Sequence, residues 1–588
     1  MKHFPADDKK AQIIETVNNN KVSIIVGETG SGKTTRVPQY LLEEGYQVLV
    51  SQPRRLAAIS VAEYVASEQG EEVGNTVGYA TGHEKCNCKN TKILFVTDGL
   101  ALVRKLLGEN SSKKQVLIID EVHEWNSNIE VLVAWCKEHL DENFKLVLMS
   151  ATIEAKELSE YFDKAPIIEI EGRLFPVKER DATGNAIADI AALVKESRNV
   201  LVFCSGKAHI NDVTTELSLT LGSLGLQAEI FPLHGEIPYD QQKKAFQTYR
   251  IPKVVIATNV AQTSITIEDI DAVVDFGLEK RLEVVGGVES LVEGWISKAD
   301  SKQRAGRAGR CKEGIYINYA EKEQQLNFPI PEIKRVNLDH LILKLAVAGF
   351  DMEVMDFFHQ PDHQAIHRGK ELLRLLELMQ GNEPTQLGKE VASLPLSPRS
   401  GKMLTLCKDE PELLYDMIVG VACLELKGIT DRTSSWLSLA MFEKDSDFIA
   451  QINVYKNAKN LKYKEMKEKG IFVKDYKRAV EVVKKLLKLF PQAKVHDQKP
   501  DKAKLIPIIV ENYKDLAFKV FYGKAHAYNP EFAGYRSRKI SNQSVTSWPT
   551  YVVGIPLDIT NKDGHSFPLL TMVTSFSLSL LSLVGQEE

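Results

Sequence analysis

At 588 residues the chain is too long for one hydrophobic core, and at roughly 100–200 residues per domain three to five domains are expected. Apolar residues at 44% and charged residues at 26% are ordinary proportions for a soluble globular protein. A formal net charge of -5 excludes bulk attraction to nucleic acid or membrane, so any polyanion site has to be a local basic patch.

The first ten residues, MKHFPADDKK, contain no apolar core and are not a signal peptide. KVSIIVGETGSGKTT follows, a short apolar strand running into Gly27, Glu28, Thr29, Gly30, Ser31, Gly32, Lys33, Thr34 and Thr35. Its pattern is G-x-x-x-x-G-K-[ST], placed after a strand and before a helix as a phosphate-binding loop requires. The glycines let backbone N–H groups curl toward phosphate oxygens, Lys33 reaches the β- and γ-phosphates of a nucleotide, and the Thr34 hydroxyl ligates Mg²⁺. The competing reading, a glycine-rich turn that binds nothing, has to ignore strand, spacing, lysine and threonine together.

Among the seven cysteines only Cys86 and Cys88 lie close together, which argues for reduced structural thiols over a zinc site. Next, VLIIDEVHEW sets four apolar residues, Val116 to Ile119, directly before Asp120, Glu121 and His123. Carboxylates at the mouth of a buried strand cost free energy unless a charge meets them. In a P-loop protein the partner is the metal of a bound nucleotide, which Asp120 would contact through water, with Glu121 and Thr34 completing the candidate metal set. Glu121 is also placed to polarise the water that attacks the γ-phosphate.

Further along lie SAT from Ser150, ATNVAQTSITI from Ala257 and QRAGRAGR from Gln303, together with SQPRRLAAISVA, VGY, TDGL, GRLFPV, VFCSG and HGEIP. In this order, and over most of the chain, the sequence resembles the DEAH/RHA-type RNA helicases of superfamily 2. The signature reads Asp-Glu-Val-His, with Val122 in the place of alanine. The resemblance implies an α/β fold of two tandem RecA-like P-loop domains, 1–172 and 173–330. A winged-helix domain (331–395), a ratchet-like helical bundle (396–500) and a small OB-like β-barrel (501–588) would follow.

It implies that Gln303 holds the attacking water while Arg307 and Arg310 act as arginine fingers. The three-residue spacing of Arg304, Arg307 and Arg310 is consistent with one helical face; a solvated basic face is the competing reading. Ser150, Thr152 and His123 resemble the family's coupling element, although His123 also reads as a satisfied core histidine. For the nucleotide base, Tyr64 stands where an arginine is usual and Phe246 keeps the aromatic partner, so a clamp by two ring faces replaces the cation–π component. Glu268 stands for the usual aspartate near the ribose, Gln262 for a glutamate, and Trp125 for an arginine whose loss would alter a structural ion pair.

A motor cannot depend on sequence, so its contacts with RNA should go mainly to the sugar–phosphate backbone. Candidates are Arg54, Arg55, Thr97, Asp98 and Gly99 in the first domain and Ser205, Gly206, Lys207, Thr258, Asn259 and Thr263 in the second. For the two arginines a surface salt bridge is the plainer alternative. EVVGGVESLVEGWIS reads as a β-hairpin around Gly286-Gly287, or as a connecting loop. After Ile330 helical periodicity takes over, a lysine-rich stretch near 451–490 reads equally as an RNA-channel wall or a solvated face, and short apolar runs from about Asp501 suggest the barrel. The apolar tract SFPLLTMVTSFSLSLLSLV is broken by Ser and Thr and reads as a strand and short helix closing a domain.

These readings converge on an ATP- or NTP-dependent, Mg²⁺-requiring hydrolase, a cytoplasmic RNA helicase or ribonucleoprotein remodeller moving 3′ to 5′ on single-stranded or partly duplex RNA. Monomer is the family default, and a protein activator is left open. A DNA-directed helicase and a nucleotide-switched RNA-binding protein with low turnover are the rivals. The short flanks argue for a bacterial or viral enzyme.

Overall fold

The structure is a computed structural model that describes residues 3–28, 30–82, 84–106, 114–151, 154–172, 175–234, 237, 242–262, 267, 269–285, 288–310, 312–431, 435–547, 549–560, 565–577 and 579–580. The chain divides by its contacts into two units. One comprises Met1–Lys280, Glu293–Arg335 and Val354–Pro361; the other comprises Arg281–Val292, Val336–Glu353 and Asp362–Glu588.

The first unit holds two RecA-like sheets. In the N-terminal one the strands are β1 (Val22–Gly27), β2 (Gln47–Gln52), β3 (Val77–Ala80), β4 (Lys85–Cys86), β5 (Ile93–Thr97), β6 (Gln115–Ile119), β7 (Phe144–Ser150) and β8 (Ile167–Ile170). Their order is β4-β3-β5-β2-β6-β7-β1-β8, and β2, β5, β6, β7, β1 and β8 all pair in parallel. Parallel strands covered on both faces need continuous apolar runs, and Val116 to Ile119 are all buried. Helices Lys10–Asn19, Lys33–Glu43 and Arg55–Glu68 close one face through Ile13, Val17, Val37, Leu41, Ala58 and Ala62.

The second sheet consists of β9 (Val177–Glu179), β10 (Val200–Phe203), β11 (Glu229–Leu233), β12 (Lys253–Ala257) and β13 (Ala272–Asp275). After β14 (Leu278–Val285) and β15 (Val288–Trp295) leave it, β16 (Gly314–Asn318) returns to it. Its order is β11-β12-β10-β13-β16-β9, parallel throughout. Parallel pairing aligns the carboxyl ends of the strands along one edge of each sheet, the edge at which open α/β folds bind ligands.

A short return segment, Val354–Pro361, belongs to the first unit through an aromatic seam. Trp125 stacks on Phe358 at 4.9 Å and meets the edge of His359 at 4.7 Å. At this position a buried aromatic contact takes the place of the expected ion pair. His359 Nδ1 lies 2.5 Å from Glu130 Oε1 and its Nε2 lies 3.4 Å from Glu154. Burial pulls the imidazole down, but the bonds to Glu130 and Glu154 outweigh it and leave the His359 pKa raised; burial raises that of Glu130. Both shifts mean that the folded state binds more protons than the unfolded state, so stability falls as pH rises through them. The urea midpoint is therefore expected to be higher at about pH 6 than at about pH 8, with the difference largely removed in His359→Gln.

In the second unit, helices Asp339–Val347 and His363–Leu375 precede a two-stranded antiparallel sheet, β17 (Met379–Gln380) and β18 (Glu383–Pro384), and helix Gln386–Ala392. Helices Pro398–Leu406, Pro411–Leu424, Asp447–Ala458, Tyr463–Glu468 and Val473–Leu489 follow. The last buries Tyr476, Ala479, Val483 and Leu486 on one stripe, while Lys477, Lys484 and Lys488 are exposed. The reading of short strands from Asp501 needs amending, because a helix, Lys502–Asn512, comes first. Strands β19 (Ala517–Phe521), β20 (Lys524–Ala527), β21 (Arg538–Ile540), β22 (Tyr551–Thr560) and β23 (Ser566–Ser575) then close a five-stranded barrel, because β22 and β23 also pair. The C-terminal apolar tract is thus largely β23, and no helix among the described residues is long and apolar enough to cross a membrane.

The segment read as a hairpin forms β14 and β15, neighbours at the margin of the barrel sheet, where β15 pairs in parallel with β22. Gly286 and Gly287 lie outside the described residues.

Candidate active site

The phosphate loop joins β1 to helix Lys33–Glu43, and Gly30 and Gly32 take φ values of +91° and +89°. At Gly32 a side chain is doubly excluded, because a Cβ would also meet Phe4 Cβ at 2.6 Å. Sequence reasoning missed this N-terminal cover, in which Phe4 lies on the loop and the Ala6 N–H donates to the Ser31 carbonyl at 2.9 Å. Lys33 is buried, and its ammonium donates to the carbonyls of Gly27 and Glu28. Burial pulls its pKa down, opposed by the charges of Glu121, Asp120 and Glu28. The Thr35 hydroxyl donates to the Gly32 carbonyl at 3.2 Å. Glu28 contributes its backbone carbonyl to Lys33, and its side chain crowds Gly172. Thr29 lies outside the described residues.

Asp120 follows β6, which is separated from β1 by β7. Its carboxylate, 1% exposed, accepts from the Thr34 hydroxyl at 2.7 Å and from Gln52 Nε2 at 2.8 Å. Burial, and then the Glu121 charge, push its pKa up to about 6. Glu121 itself sits in left-handed backbone at φ +52°, and its Oε2 has no hydrogen-bond partner among the described residues. A non-glycine residue held there is strained, and such strain gathers at functional sites. The donor set of Thr34 hydroxyl, Asp120 and Glu121 is all oxygen, which fits Mg²⁺.

Ser150 ends β7, the strand between the loop and the acidic pair, and is fully buried. His123 Nδ1 lies 2.8 Å from Ser150 Oγ and 3.4 Å from Glu121 Oε2. Its other nitrogen, Nε2, lies 3.3 Å from Gln303 Nε2 in the second RecA-like domain. The signature of one domain and the arginine-rich run of the other therefore meet through this contact. Thr152 lies outside the described residues.

The three-residue arginine spacing does not produce one helical face. The helix Lys298–Ala305 ends before Gly306, so Arg307 and Arg310 stand on the turn beyond it. Arg304 points inward, 0% exposed, in an ion pair with Asp275 at 2.8 Å and over the Phe203 ring at 4.7 Å. Arg307 is buried and donates to the Gln262 carbonyl. Burial and the Arg310 charge pull its guanidinium down to about 9, against the attraction of Glu121, so it stays charged at neutral pH.

The two base-clamp candidates occupy separate domains. Tyr64 is exposed on helix Arg55–Glu68, its hydroxyl donating to Glu68 at 3.0 Å. Phe246 ends the turn Lys243–Phe246 and packs half-buried on its own domain's core. Glu268 lies outside the described residues.

The RNA candidates gather at carboxyl strand ends. Arg54 and Arg55 follow β2, Thr97 ends β5 with Asp98 and Gly99 just beyond it, Ser205 to Lys207 follow β10, and Thr258 and Asn259 follow β12; Thr263 lies outside the described residues. Both arginines are paired, Arg54 with Glu124 at 3.4 Å and Arg55 with Glu84 at 2.9 Å. Asp98 is buried and faces inward, accepting from the Ser51 hydroxyl and from Asn126 Nδ2 at 2.6 Å, and burial pushes its pKa up to about 6. Ser205 donates to Glu293 at 2.5 Å, Gly206 precedes helix Lys207–Ser223, and Lys207 is exposed. Along the first sheet, β5 and β2 carry the RNA candidates while β6, β7 and β1 carry the phosphate candidates. Gln52 at the end of β2 bonds to Asp120 at the end of β6 and so joins the halves. Sequence reasoning missed Gln52, Ser51 and Asn126; only Asn126 carried a local signal, as the N-cap of helix Ser127–His139.

Comparison with known proteins agrees with this architecture. The DEAD/DEAH box helicase family model matches residues 8–161, and the helicase conserved C-terminal domain model matches 184–312. A curated ATP-dependent RNA helicase HrpA from Borreliella burgdorferi is 34% identical over 454 residues, covering 72% of this chain and 55% of the relative. The chain therefore spans about half the length of that relative. The crystal structure of the E. coli DExH-box NTPase HrpB superposes with a TM-score of 0.79 at 24% identity, covering 100% of this chain and 69% of that one, a likeness of fold.

Proposed function

The chain is a superfamily 2 helicase of the DEAD/DEAH-box kind, and from that premise we propose that it hydrolyses ATP to translocate 3′ to 5′ on single-stranded RNA and unwind or remodel what it meets. The observation that carries the proposal is the His123–Gln303 contact, which joins phosphate-handling residues of the two RecA-like domains. Lys33 and the loop N–H groups would bind the phosphates, and Thr34 and Asp120 would hold Mg²⁺. Bound there, Mg²⁺ would offset charge on the phosphate oxygens. Glu121 would accept the proton of the attacking water, and Arg307 and Arg310 would stabilise charge developing on the transferred group.

Because catalytic groups come from both domains, hydrolysis requires a closed cleft. RNA gripped by residues at the ends of β2, β5, β10 and β12 would favour closure, with Gln52 linking the RNA side to Asp120. Assignment of 331–395, 396–500 and 501–588 as winged-helix, ratchet-like and OB-like domains belongs to this proposal. So does a monomeric state, with a protein activator left open.

The test is steady-state ATP hydrolysis with and without single-stranded RNA or DNA, alongside unwinding of duplexes with 3′ or 5′ tails. Stimulation by RNA and a 3′-tail requirement are the expected results. Stimulation by DNA alone would transfer the reading to a DNA helicase, and a 5′-tail requirement would reverse the direction.

A further inference from the structure

We propose that Gln262 is a positioning residue that sets the direction of a hydrogen-bond chain across the cleft, placing the His123 proton on Nδ1 and leaving Nε2 as the acceptor. The catalytic meaning of this role rests on the hydrolysis reading above; the tautomer itself does not.

Donors and acceptors along the chain are fixed one bond at a time. Arg304 has only donors, and its Nε meets Gln262 Oε1 at 3.0 Å. Asp300, whose other carboxylate oxygen accepts from the Ser297 N–H and hydroxyl, meets Gln262 Nε2 at 2.6 Å. These two charged neighbours fix which end of the Gln262 amide is oxygen and which is nitrogen. Its second N–H then donates to Gln303 Oε1 at 2.9 Å. With its oxygen committed toward Gln262, Gln303 presents Nε2 to His123 Nε2 at 3.3 Å. Two N–H groups cannot face each other there, so His123 Nε2 is the bare nitrogen and Nδ1 carries the proton. That proton points to Ser150 Oγ at 2.8 Å, with Glu121 Oε2 3.4 Å from the same nitrogen.

The far end of the chain is rigid. Arg304 is locked by Asp275, which also accepts from the Tyr316 hydroxyl at 3.0 Å. The direction is therefore set from a buried ion pair in the second domain and read out on an imidazole in the first. It also defines what Gln303 has left, one N–H and one lone pair, enough to grip a water from both sides.

A carboxylate at position 262 would keep the Arg304 bond, lose the bond to Asp300 and reverse the chain from Gln303 onward. Lacking N–H groups, it would accept from Arg304 and from Gln303, whose amide would turn over and offer its oxygen to His123. His123 would then carry its proton on Nε2.

The tautomer can be read directly from two-bond ¹H–¹⁵N correlations of the full-length, nucleotide-free protein labelled at histidine, with the His123 signal assigned among 13 histidines by its loss in His123→Gln. The expected results are the Nδ1–H pattern in wild type and the Nε2–H pattern in Gln262→Glu. An Nε2–H pattern in wild type overturns the proposal without any variant, and so does the same pattern in both proteins. If Gln262→Glu, which adds a carboxylate beside Asp300, fails to fold, Gln262→Met replaces it. Loss of the single wild-type pattern is then expected, and its retention refutes the proposal. A wild-type protein that shows the Nδ1–H pattern but hydrolyses no ATP with any nucleic acid would sink the helicase reading and leave this one standing.

Discussion

Arg307→Ala is expected to lower kcat for ATP hydrolysis by about 10³–10⁵-fold, the range for arginine fingers in related P-loop enzymes, with folding stability unchanged or raised. The two halves of this expectation come from one observation. Arg307 is buried beside the positive charges of Arg310 and Arg54, with Glu121 as its compensating charge. Like charges gathered in a poorly solvated place repel each other and raise the free energy of the site. Such an arrangement becomes favourable when several negative charges arrive together, as on the phosphates of a nucleotide. Removing Arg307 relieves the repulsion and removes the charge that the transition state needs.

Arg304→Ala is the contrasting control. That side chain ties Asp275 and Gln262 together at full burial, so breaking the pair leaves a buried carboxylate uncompensated at a cost of about 3–5 kcal/mol. Thermal unfolding and stopped hydrolysis assays on the two variants separate the roles. An Arg307→Ala protein that keeps kcat within tenfold of wild type would remove this residue from the chemical step.

The difference between these arginines marks where the sequence was legible and where it was not. The phosphate loop was readable because its logic is local: strand, glycines, Lys33 and Thr34 lie within one turn and need no distant partner to be recognised. The strands β14 and β15 were readable for the same reason, from alternation on either side of a glycine pair. Arg304, Arg307 and Arg310 have identical spacing to the next arginine, and spacing alone could not reveal that the helix stops at Ala305. What turns Arg304 inward is Asp275, 29 positions away, at the end of a parallel strand.

Gln52 and Asp98 were obscure in the same way. Gln52 finds Asp120 68 residues on, and Asp98 takes the Ser51 hydroxyl 47 residues back, because parallel pairing aligns β2, β5 and β6 at one edge. An acidic residue in TDGL suggests a surface contact until its neighbours on that edge are known. The barrel was read from short apolar runs and the family resemblance, but the pairing that closes it was not. Alternation identified apolar strands near the C-terminus, but the β22–β23 pairing that completes the ring, and the helix Lys502–Asn512 before it, depend on tertiary contacts.

Glu121→Gln should abolish most hydrolysis while sparing nucleotide binding, with a fall in kcat of about 10²–10⁴-fold, the usual worth of a positioned general base. The substitution keeps the length and shape of the side chain. It also keeps a residue that tolerates the same backbone as any other non-glycine amino acid at φ +52°, so the strain at this position is unchanged. What disappears is the basic oxygen. In the structure Oε2 lies buried without a hydrogen-bond partner among the described residues, 3.4 Å from His123 Nδ1. A buried carboxylate oxygen held in this way is an acceptor that the reacting water can use.

The neighbouring carboxylate cannot substitute for it. Three of the Asp120 lone pairs are engaged, two on Oδ2 by the Thr34 hydroxyl and Gln52 and one on Oδ1 by the Glu121 N–H, and the one that remains is what the proposed Mg²⁺ would take. Fluorescent-nucleotide binding should therefore change by only a few fold in Glu121→Gln, while single-turnover hydrolysis collapses with or without RNA. Equal losses of binding and hydrolysis would assign Glu121 to nucleotide affinity instead. Hydrolysis within tenfold of wild type would move the proton-accepting role to another group, and His123, bonded to Ser150 and facing Gln303, would be the first to replace it.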